Sequence, residues 1–261
     1  MAGPWKTLRI QGMSVQIWHS PAEMGLAAAT EAAGIIRSSV VERGRSRILM
    51  ATATSQCELV DSLCRVSGID WESVDVFHLD EYVGIQASHP ASFRCWLKEH
   101  VEDIVHPARV HYLCGDAVNL REECLRYERL LGEDDIDLAL VGIGENGHIA
   151  FNDPHVADFE DPLRVKRVRL DERCRMQQVR EGHFPSLDSV PSEALTVTCP
   201  TVMVARRLIG FVPGRHKAEA VRNAAEGELS ERCPASLLFT HPVATLYLDS
   251  ESASMLTSYS D

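Results

Sequence analysis

His148 is the residue whose neighbours most clearly indicate chemistry. It lies in the stretch GIGENGHIAFNDP (residues 142–154), after three turn glycines, with Asn146 two residues before it and Asp153 five residues after it. Imidazole is an acid or a base near neutral pH, and a nearby carboxylate can orient it for that task. A lone histidine is often a hydrogen-bonded structural residue, but the glycines and polar side chains here favour a functional one.

A second candidate is the carboxylate at the end of FHLDEY. Asp80 follows an apolar run and is flanked by the aromatic residues Phe77 and Tyr82. A partly buried carboxylate in such a position can serve as a general base, because burial brings its pKa closer to the working pH. The alternative interpretation is an acid in a solvated loop.

Two further stretches are suited to bind an anion. The first contains the polar side chains Thr52, Thr54, Ser55 and Gln56, directly before a helix signal. Free backbone N–H groups at a helix start, together with hydroxyls, can hold a phosphate, although a simple helix cap explains the same residues. In the second, Lys217 enters a helix at the end where the dipole disfavours a cation. This position indicates a bound anion, with a surface lysine as the alternative.

These candidates follow apolar runs that predict strands. Strands are predicted at residues 47–51, 74–80, 136–141, 194–198, 208–212 and 244–248, and helices at residues 21–43, from 54 onward, 90–105, 119–131 and 216–226. The alternation predicts an α/β fold with a mostly parallel sheet and helices on both faces. In such sheets ligands bind beyond the carboxyl ends of the strands, which is where the candidates lie.

The composition narrows the class of protein. The chain has 261 residues without a linker or repeat, so we expect one domain over 1–261. Its net charge of −12 argues against nucleic acid and anionic membranes as partners. No apolar run is long enough to span a bilayer and no signal peptide is evident, so a cytoplasmic location is expected.

Disorder is expected only in the Ser-rich C-terminal tail, and the charged segment 156–191 is a candidate lid.

The cysteines do not form a pattern that indicates a metal site. Eight are scattered along the chain without a C-x-x-C pair or a ligand-like spacing to histidine. They are more typical of small buried hydrophobic residues in a reducing compartment. We therefore predict neither a bound metal nor a cysteine nucleophile.

Taken together, these stretches resemble the glucosamine-6-phosphate deaminase family, within the group that includes the 6-phosphogluconolactonases. The matching segments are FHLDEYVG (77–84), HPASF (89–93), GIGENGHIAFNDP (142–154), ALTVT (194–198) and PGRHKA (213–218). The resemblance implies a modified Rossmann-like fold, often as a homo-oligomer. It also implies opening of an amino-sugar 6-phosphate ring, proton transfer from C2 to C1, and release of ammonia and fructose 6-phosphate.

The resemblance assigns a role to each candidate. Asp80 resembles the carboxylate that takes the C2 proton, and His148 the residue that assists ring opening. The stretch from Thr52 to Gln56 and Lys217 resemble the phosphate-binding elements, to which Arg180 is added by an alignment that needs a gap. The implied chemistry uses no cofactor and no metal.

The chain departs from the family at three places. Asn146 stands where the family usually has Asp, and Asp153 where it has Glu; these two acids flank the histidine. Ala53 and Thr54 replace a frequent pair of glycines. An asparagine can hydrogen-bond to its neighbours, but it cannot stabilise an imidazolium by charge. Glu145 could supply the missing charge.

Two alternatives therefore stay open. A 6-phosphogluconolactonase is one, although Ile149 and Ala150 after the histidine and Tyr82 after the DE pair favour a deaminase. The other is a sugar-phosphate sensor with weak catalysis or none, because the phosphate-binding features are retained while the acid at position 146 is lost.

Overall fold

Eleven strands form two sheets within residues 3–257, the part of the chain that the structure, a computed structural model, describes. The strands are β1 (Lys6–Ile10), β2 (Met13–Trp18), β3 (Ser46–Met50), β4 (Val74–His78), β5 (Asp80–Tyr82), β6 (Arg109–His111), β7 (Leu138–Val141), β8 (Val165–Arg169), β9 (Glu193–Val197), β10 (Arg207–Val212) and β11 (Ala244–Asp249).

The larger sheet has the order β1-β2-β11-β10-β7-β3-β4-β6. Only β1 and β2 pair in antiparallel fashion, while every other neighbouring pair is parallel. The predicted mostly parallel sheet is therefore confirmed. Strands β10, β7, β3 and β4 are adjacent and parallel, so their carboxyl ends lie at one edge of the sheet.

A smaller antiparallel sheet has the order β5-β9-β8. Two strand predictions made from the sequence are wrong in detail because of this sheet. The strand predicted over 74–80 ends at His78, because Leu79 carries the chain from one sheet to the other. Its N–H donates to Met50 O, and its carbonyl accepts from the N–H of Val197 in β9. The strand predicted at 194–198 belongs to this smaller sheet and not to the parallel one.

Eight α-helical segments surround the sheets in the described residues. They are α1 (Pro21–Arg43), α2 (Cys57–Arg65), α3 (Phe93–Leu97), α4 (Asp103–Val105), α5 (Leu120–Gly132), α6 (Glu172–Arg180), α7 (Cys199–Met203) and α8 (Ala218–Glu226). A π-helical turn at Lys98–Glu102 joins α3 to α4. Helix α1 has the predicted bounds, because Ser20 caps its start and Gly44, at φ +74°, ends it.

Helices cover both faces of the large sheet, as predicted. Alternate residues of a strand point to opposite faces, so each strand contributes to two separate cores. Leu138 and Leu140 pack with α1 and α2, whereas Ala139 and Val141 pack with the residues of α5, α7 and α8. Helices thus pack on both faces of the sheet below its carboxyl edge.

The C-terminal tail is partly ordered, contrary to the expectation from its serine content. Ala253 and Leu256 are buried in the core shared with α8. Burial of these two apolar side chains holds residues 250–257 in turns, while residues 258–261 lie outside the described part. Among the described helices, none is long and apolar enough to cross a membrane.

Candidate active site

A pocket lies at the carboxyl edge of the four adjacent parallel strands. Thr52 follows β3, Asp80 follows β4, His148 follows β7 and Lys217 follows β10. Six of the residues identified from the sequence line this pocket, namely Thr52, Ser55, Gln56, Asp80, His148 and Lys217. Residues separated by up to 165 positions in the chain thus meet where a parallel sheet places its ligands.

The glycine turn after β7 presents the His148 ring to this pocket. The turn is closed by hydrogen bonds from Gly147 N to Gly144 O and from Gly144 N to His148 O. Gly147 has φ +84°, a left-handed conformation that glycine adopts without strain. A Cβ on Gly144 would lie 2.2 Å from the imidazole, so only glycine lets the ring pack against the turn.

Asp153 is the carboxylate partner of His148. Its Oδ1 lies 3.1 Å from His148 Nδ1, close enough for an ion pair, although Nδ1 makes no well-aligned hydrogen bond. Burial raises the pKa of Asp153, but contact with His148 and a hydrogen bond from Asn146 outweigh it, so the pKa lies below the ordinary value. With Nδ1 against this carboxylate, Nε2 is the ring nitrogen available to a substrate.

Asn146 joins two carboxylates behind the histidine. Its Nδ2 donates to Asp153 Oδ1 at 2.9 Å and to Asp171 Oδ2 at 3.0 Å, and its Oδ1 accepts from His148 N at 3.1 Å. An amide can donate both bonds, whereas a carboxylate cannot. Asp171, which also caps α6, is a member of this network that sequence reasoning missed. The Asn146 departure is therefore accommodated by the hydrogen bonds around it.

Asp80 is buried, with 7% of its surface exposed. Burial, and then the negative charge of neighbouring Glu81, raise the pKa of Asp80 well above its ordinary value. The backbone of Asp80 in β5 pairs with that of Thr196 in β9, and this pairing fixes the position of the Asp80 Cα atom. A buried carboxyl with a raised pKa is suited to accept and return a proton.

Glu81, the acid next to Asp80 in the chain, has a structural role. Its carboxylate accepts hydrogen bonds from the N–H groups of Phe93 and Arg94 and from the Ser92 hydroxyl at the start of α3. Arg94 also forms an ion pair with it. These contacts lock the DEY segment to α3, so the two adjacent acids have different roles.

The other end of the pocket has polar atoms suited to an anion. Thr52 Oγ1 is buried, makes no hydrogen bond within the described protein and can donate to an anion. Gln56 Oε1 is also buried without a hydrogen bond, but this oxygen only accepts. Gln56 Nε2 donates to Phe211 O at 3.1 Å, which holds the side chain against β10. Lys217 is almost completely buried, and burial lowers the pKa of its ammonium group despite the opposing charge of Glu181.

Thr54 and Arg180 are not brought into the pocket lining. Thr54 Oγ1 lies 3.2 Å from His183 Nε2. Arg180 is half exposed and pairs with Glu145, whereas the carboxylate paired with His148 is that of Asp153. Both residues lie beside the pocket, on the chain segments that border it.

Helix α6 contributes a wall that the sequence did not reveal. Gln177, Gln178 and Glu181 line the pocket, and Gln178 Oε1 accepts a hydrogen bond from Tyr82 at 2.7 Å. The segment 156–191, predicted as a lid, thus contains β8 and a helix packed at the site. The only signal in the sequence was the capping residue Asp171, which marks a helix start but no function.

The donor atoms of His148, Asp153 and Cys174 lie within 4.8 Å of one another, as do those of Asp153, His155 and Asp171. Burial raises the pKa of the Cys174 thiol well above its ordinary value, whereas a metal binds the thiolate. Both Asp153 oxygens already accept hydrogen bonds, from Asn146 and from the backbone of Asp171. These donors fit a hydrogen-bonded network better than a metal site.

Comparison with known proteins identifies the family of the chain. Residues 19–247 match the family described as glucosamine-6-phosphate isomerases/6-phosphogluconolactonase. A glucosamine-6-phosphate deaminase of Halothermothrix orenii is 36% identical over 234 residues, which cover 87% of this chain and 94% of the relative. One of Rhodococcus opacus is 36% identical over 250 residues, covering 94% and 93%.

Solved structures extend the similarity to the fold. A monomeric glucosamine-6-phosphate deaminase superposes with a TM-score of 0.84 at 32% identity, covering 92% of this chain and 99% of that one. A 6-phosphogluconolactonase from Shewanella baltica shares the fold, with a TM-score of 0.76 at 16% identity over 93% of this chain and 99% of its own. The chain belongs to the glucosamine-6-phosphate isomerase/6-phosphogluconolactonase family.

Proposed function

We propose that this protein is a glucosamine-6-phosphate deaminase, which converts the amino-sugar phosphate and water to fructose 6-phosphate and ammonia. The observation that carries the proposal is the convergence of a buried carboxyl, a histidine–aspartate pair and a buried lysine on one pocket. These groups match the three needs of the reaction: a base at C2, an acid–base group at the ring oxygen and an anchor for phosphate. The names of the similar relatives agree with it.

The first step is opening of the sugar ring. His148 moves a proton between the C1 hydroxyl and the ring oxygen, which breaks the bond from C1 to that oxygen and leaves an aldehyde at C1. Asp153 stabilises the imidazolium that forms while His148 holds the transferred proton. The burial of this carboxylate strengthens its interaction with the histidine.

The second step moves the C2 proton. Asp80 takes this proton, the electron pair forms the C1–C2 double bond of an enolamine, and the carbonyl oxygen takes up the proton that the substrate ammonium group releases. The Asp80 carboxyl then returns its proton to C1, which leaves a protonated imine at C2. Water adds to the imine, and ammonia departs to give the ketone. A carboxyl with a raised pKa suits both halves of this transfer.

The binding end holds the phosphate at a fixed distance from these groups. Thr52 and Ser55 offer hydroxyl donors, and Lys217 supplies a buried positive charge. Gln56 lines the same end of the pocket, with its Nε2 donating to Phe211 O. A bound phosphate fixes the orientation of the sugar, so C2 is held near one carboxyl for the whole cycle.

The test is an assay of the purified protein with glucosamine 6-phosphate, with fructose 6-phosphate and ammonia both measured. We expect equal amounts of the two products and no acceleration of 6-phosphogluconolactone hydrolysis. A folded protein that binds the sugar phosphate without turnover would be a sensor. One that hydrolyses the lactone well above its spontaneous rate would be a lactonase.

A further inference from the structure

Glu181 places a carboxylate at the anion-binding end of the pocket. It follows the last residue of α6, and 17% of its side chain is exposed. Its Oε1 lies 4.0 Å from Lys217 Nζ and accepts a hydrogen bond from Gln177 at 2.8 Å. Its Oε2 lies 3.6 Å from His183 Nε2. An acid is thus held by three neighbours where a phosphate would be expected to find only donors.

This carboxylate cancels the positive charge of the site. Among the described residues that line the pocket, Lys217 is the only lysine or arginine. Arg180 precedes Glu181 in the chain but pairs with Glu145 outside the lining. Burial raises the pKa of Glu181, yet its contacts with His183, Lys217 and Gln177 outweigh this effect, so its pKa lies below the ordinary value and the group is ionised near neutral pH.

A phosphate monoester carries a charge of about −1.5 to −2 near pH 7. An oxygen of that group in contact with Lys217 would lie beside the Glu181 carboxylate, and two anions in a buried site repel each other strongly. The phosphate and Glu181 therefore compete for one position. Glu181 follows the end of α6, and Gly182 after it has φ +81°, so the side chain lies at a turn and not inside a helix.

We propose that Glu181 is an internal competitor of the substrate phosphate: its carboxylate takes the position beside Lys217 that the phosphate needs, and phosphate binding displaces it. This inference rests on the proposed function for the identity of the substrate. Glu181 thereby sets the affinity for phosphorylated sugars without taking part in proton transfer. It weakens binding of the phosphate while it keeps the buried Lys217 charge compensated.

Glu181→Gln tests this, because glutamine keeps the shape and the hydrogen bond with Gln177 but removes the charge. We expect KM for glucosamine 6-phosphate to fall about tenfold with kcat changed less than about twofold. Glu219→Gln is the matched control, since Glu219 is exposed and lies two residues from Lys217. It removes the same charge nearby and leaves KM unchanged. Glu181→Ala shifts KM in the same direction as Glu181→Gln.

Calorimetric titration with inorganic phosphate separates this proposal from the proposed function. If wild-type protein shows no deaminase turnover but Glu181→Gln binds inorganic phosphate about tenfold more tightly, the competitor role stands and the proposed function fails. If turnover is present and Glu181→Gln leaves both KM and the phosphate Kd unchanged or raised, Glu181 positions Lys217 and does not compete, and the proposal is overturned.

Discussion

Asp80 is a carboxyl that the fold holds in an unfavourable environment for its charge. Its pKa is raised in the folded protein by burial and by Glu81, so its contribution to stability is present at low pH and is lost as the pH rises through the folded value. A raised pKa suits the proposed role of Asp80, which is to accept a proton from carbon.

Asp80→Asn is therefore expected to be more stable than wild type by about 1–3 kcal/mol at pH 8, with a smaller difference at pH 5. Urea unfolding at the two pH values measures this. The exposed residue Asp188 serves as a control, since Asp188→Asn changes stability little at either pH. An Asp80→Asn variant that is less stable than wild type at pH 8 would show that Asp80 is held by favourable contacts.

Asn146 is a neutral residue whose amide donates to two carboxylates, those of Asp153 and Asp171. Asn146→Asp would place three acids together, and their mutual repulsion would raise the pKa values of these three carboxyl groups. We expect the free energy of unfolding to fall by about 1–3 kcal/mol at pH 8 and to recover as the pH falls. Asn119→Asp, at the exposed cap of α5, tests the same change where a carboxylate caps equally well. Equal stability of Asn146→Asp and wild type at pH 8 would contradict this network.

Gly144 is required by its contact with the His148 ring. An added Cβ would lie 2.2 Å from the His148 imidazole, so the ring must move away. Because a displacement of about 1 Å can cost a hundredfold in rate, we expect kcat of Gly144→Ala to fall at least about thirtyfold. Gly34→Ala, where a Cβ meets no atom within 4 Å, should keep full activity. Undiminished turnover by Gly144→Ala would remove His148 from its role.

The helices and strands that local sequence signals determine could be predicted from the sequence. Helix α1 was correct at both ends, because its caps are short-range features. The strand ends that carry Thr52, Asp80, His148 and Lys217 were recognised from apolar runs followed by polar residues. Short strands such as β1, β6 and β8 were missed, since they are partly exposed and lack a continuous apolar run.

Long-range pairing was not accessible from the sequence. Strand β5 pairs with β9, more than a hundred residues away, and nothing near FHLDEY marks a second sheet. Asp171 and Glu181 were overlooked for the same reason. They reach the site only because α6 packs against the glycine turn, and their own neighbourhood is an ordinary charged helix.

The side chain of Asn152 connects the loop after β7 to strand β9 of the smaller sheet. Buried Asn152 donates through Nδ2 to Ile149 O and to Val197 O, each at 2.9 Å, which ties the histidine loop to β9. Asn152→Ala would leave two buried carbonyls without these donors and lower the free energy of unfolding by about 2–4 kcal/mol. Urea denaturation measures this against Asn223→Ala, an exposed site. A loss no larger than that of the control would mean that the loop is held by other contacts.

At the scale of the whole molecule, charge opposes the proposed substrate. The net charge of −12 repels a sugar phosphate, and the pocket offers little attraction because Glu181 compensates Lys217. Salt screens the long-range repulsion, since the Debye length falls from ~30 Å at about 10 mM to ~10 Å at about 100 mM. We expect KM to fall about twofold over that range with kcat unchanged. A KM that rises steeply with salt would indicate a positively charged approach to the site.

The proposed reaction requires that Asp80 carries the C2 proton of the amino-sugar phosphate in this pocket. The most direct test measures ammonia and fructose 6-phosphate formed from glucosamine 6-phosphate by wild-type protein and by Asp80→Asn in parallel. We predict one-to-one formation of both products by wild type and a loss of at least about a hundredfold in kcat for the variant, with its fold intact. Wild-type rates in Asp80→Asn would contradict the proposed role of Asp80, and no product from folded wild-type protein would contradict the proposed reaction.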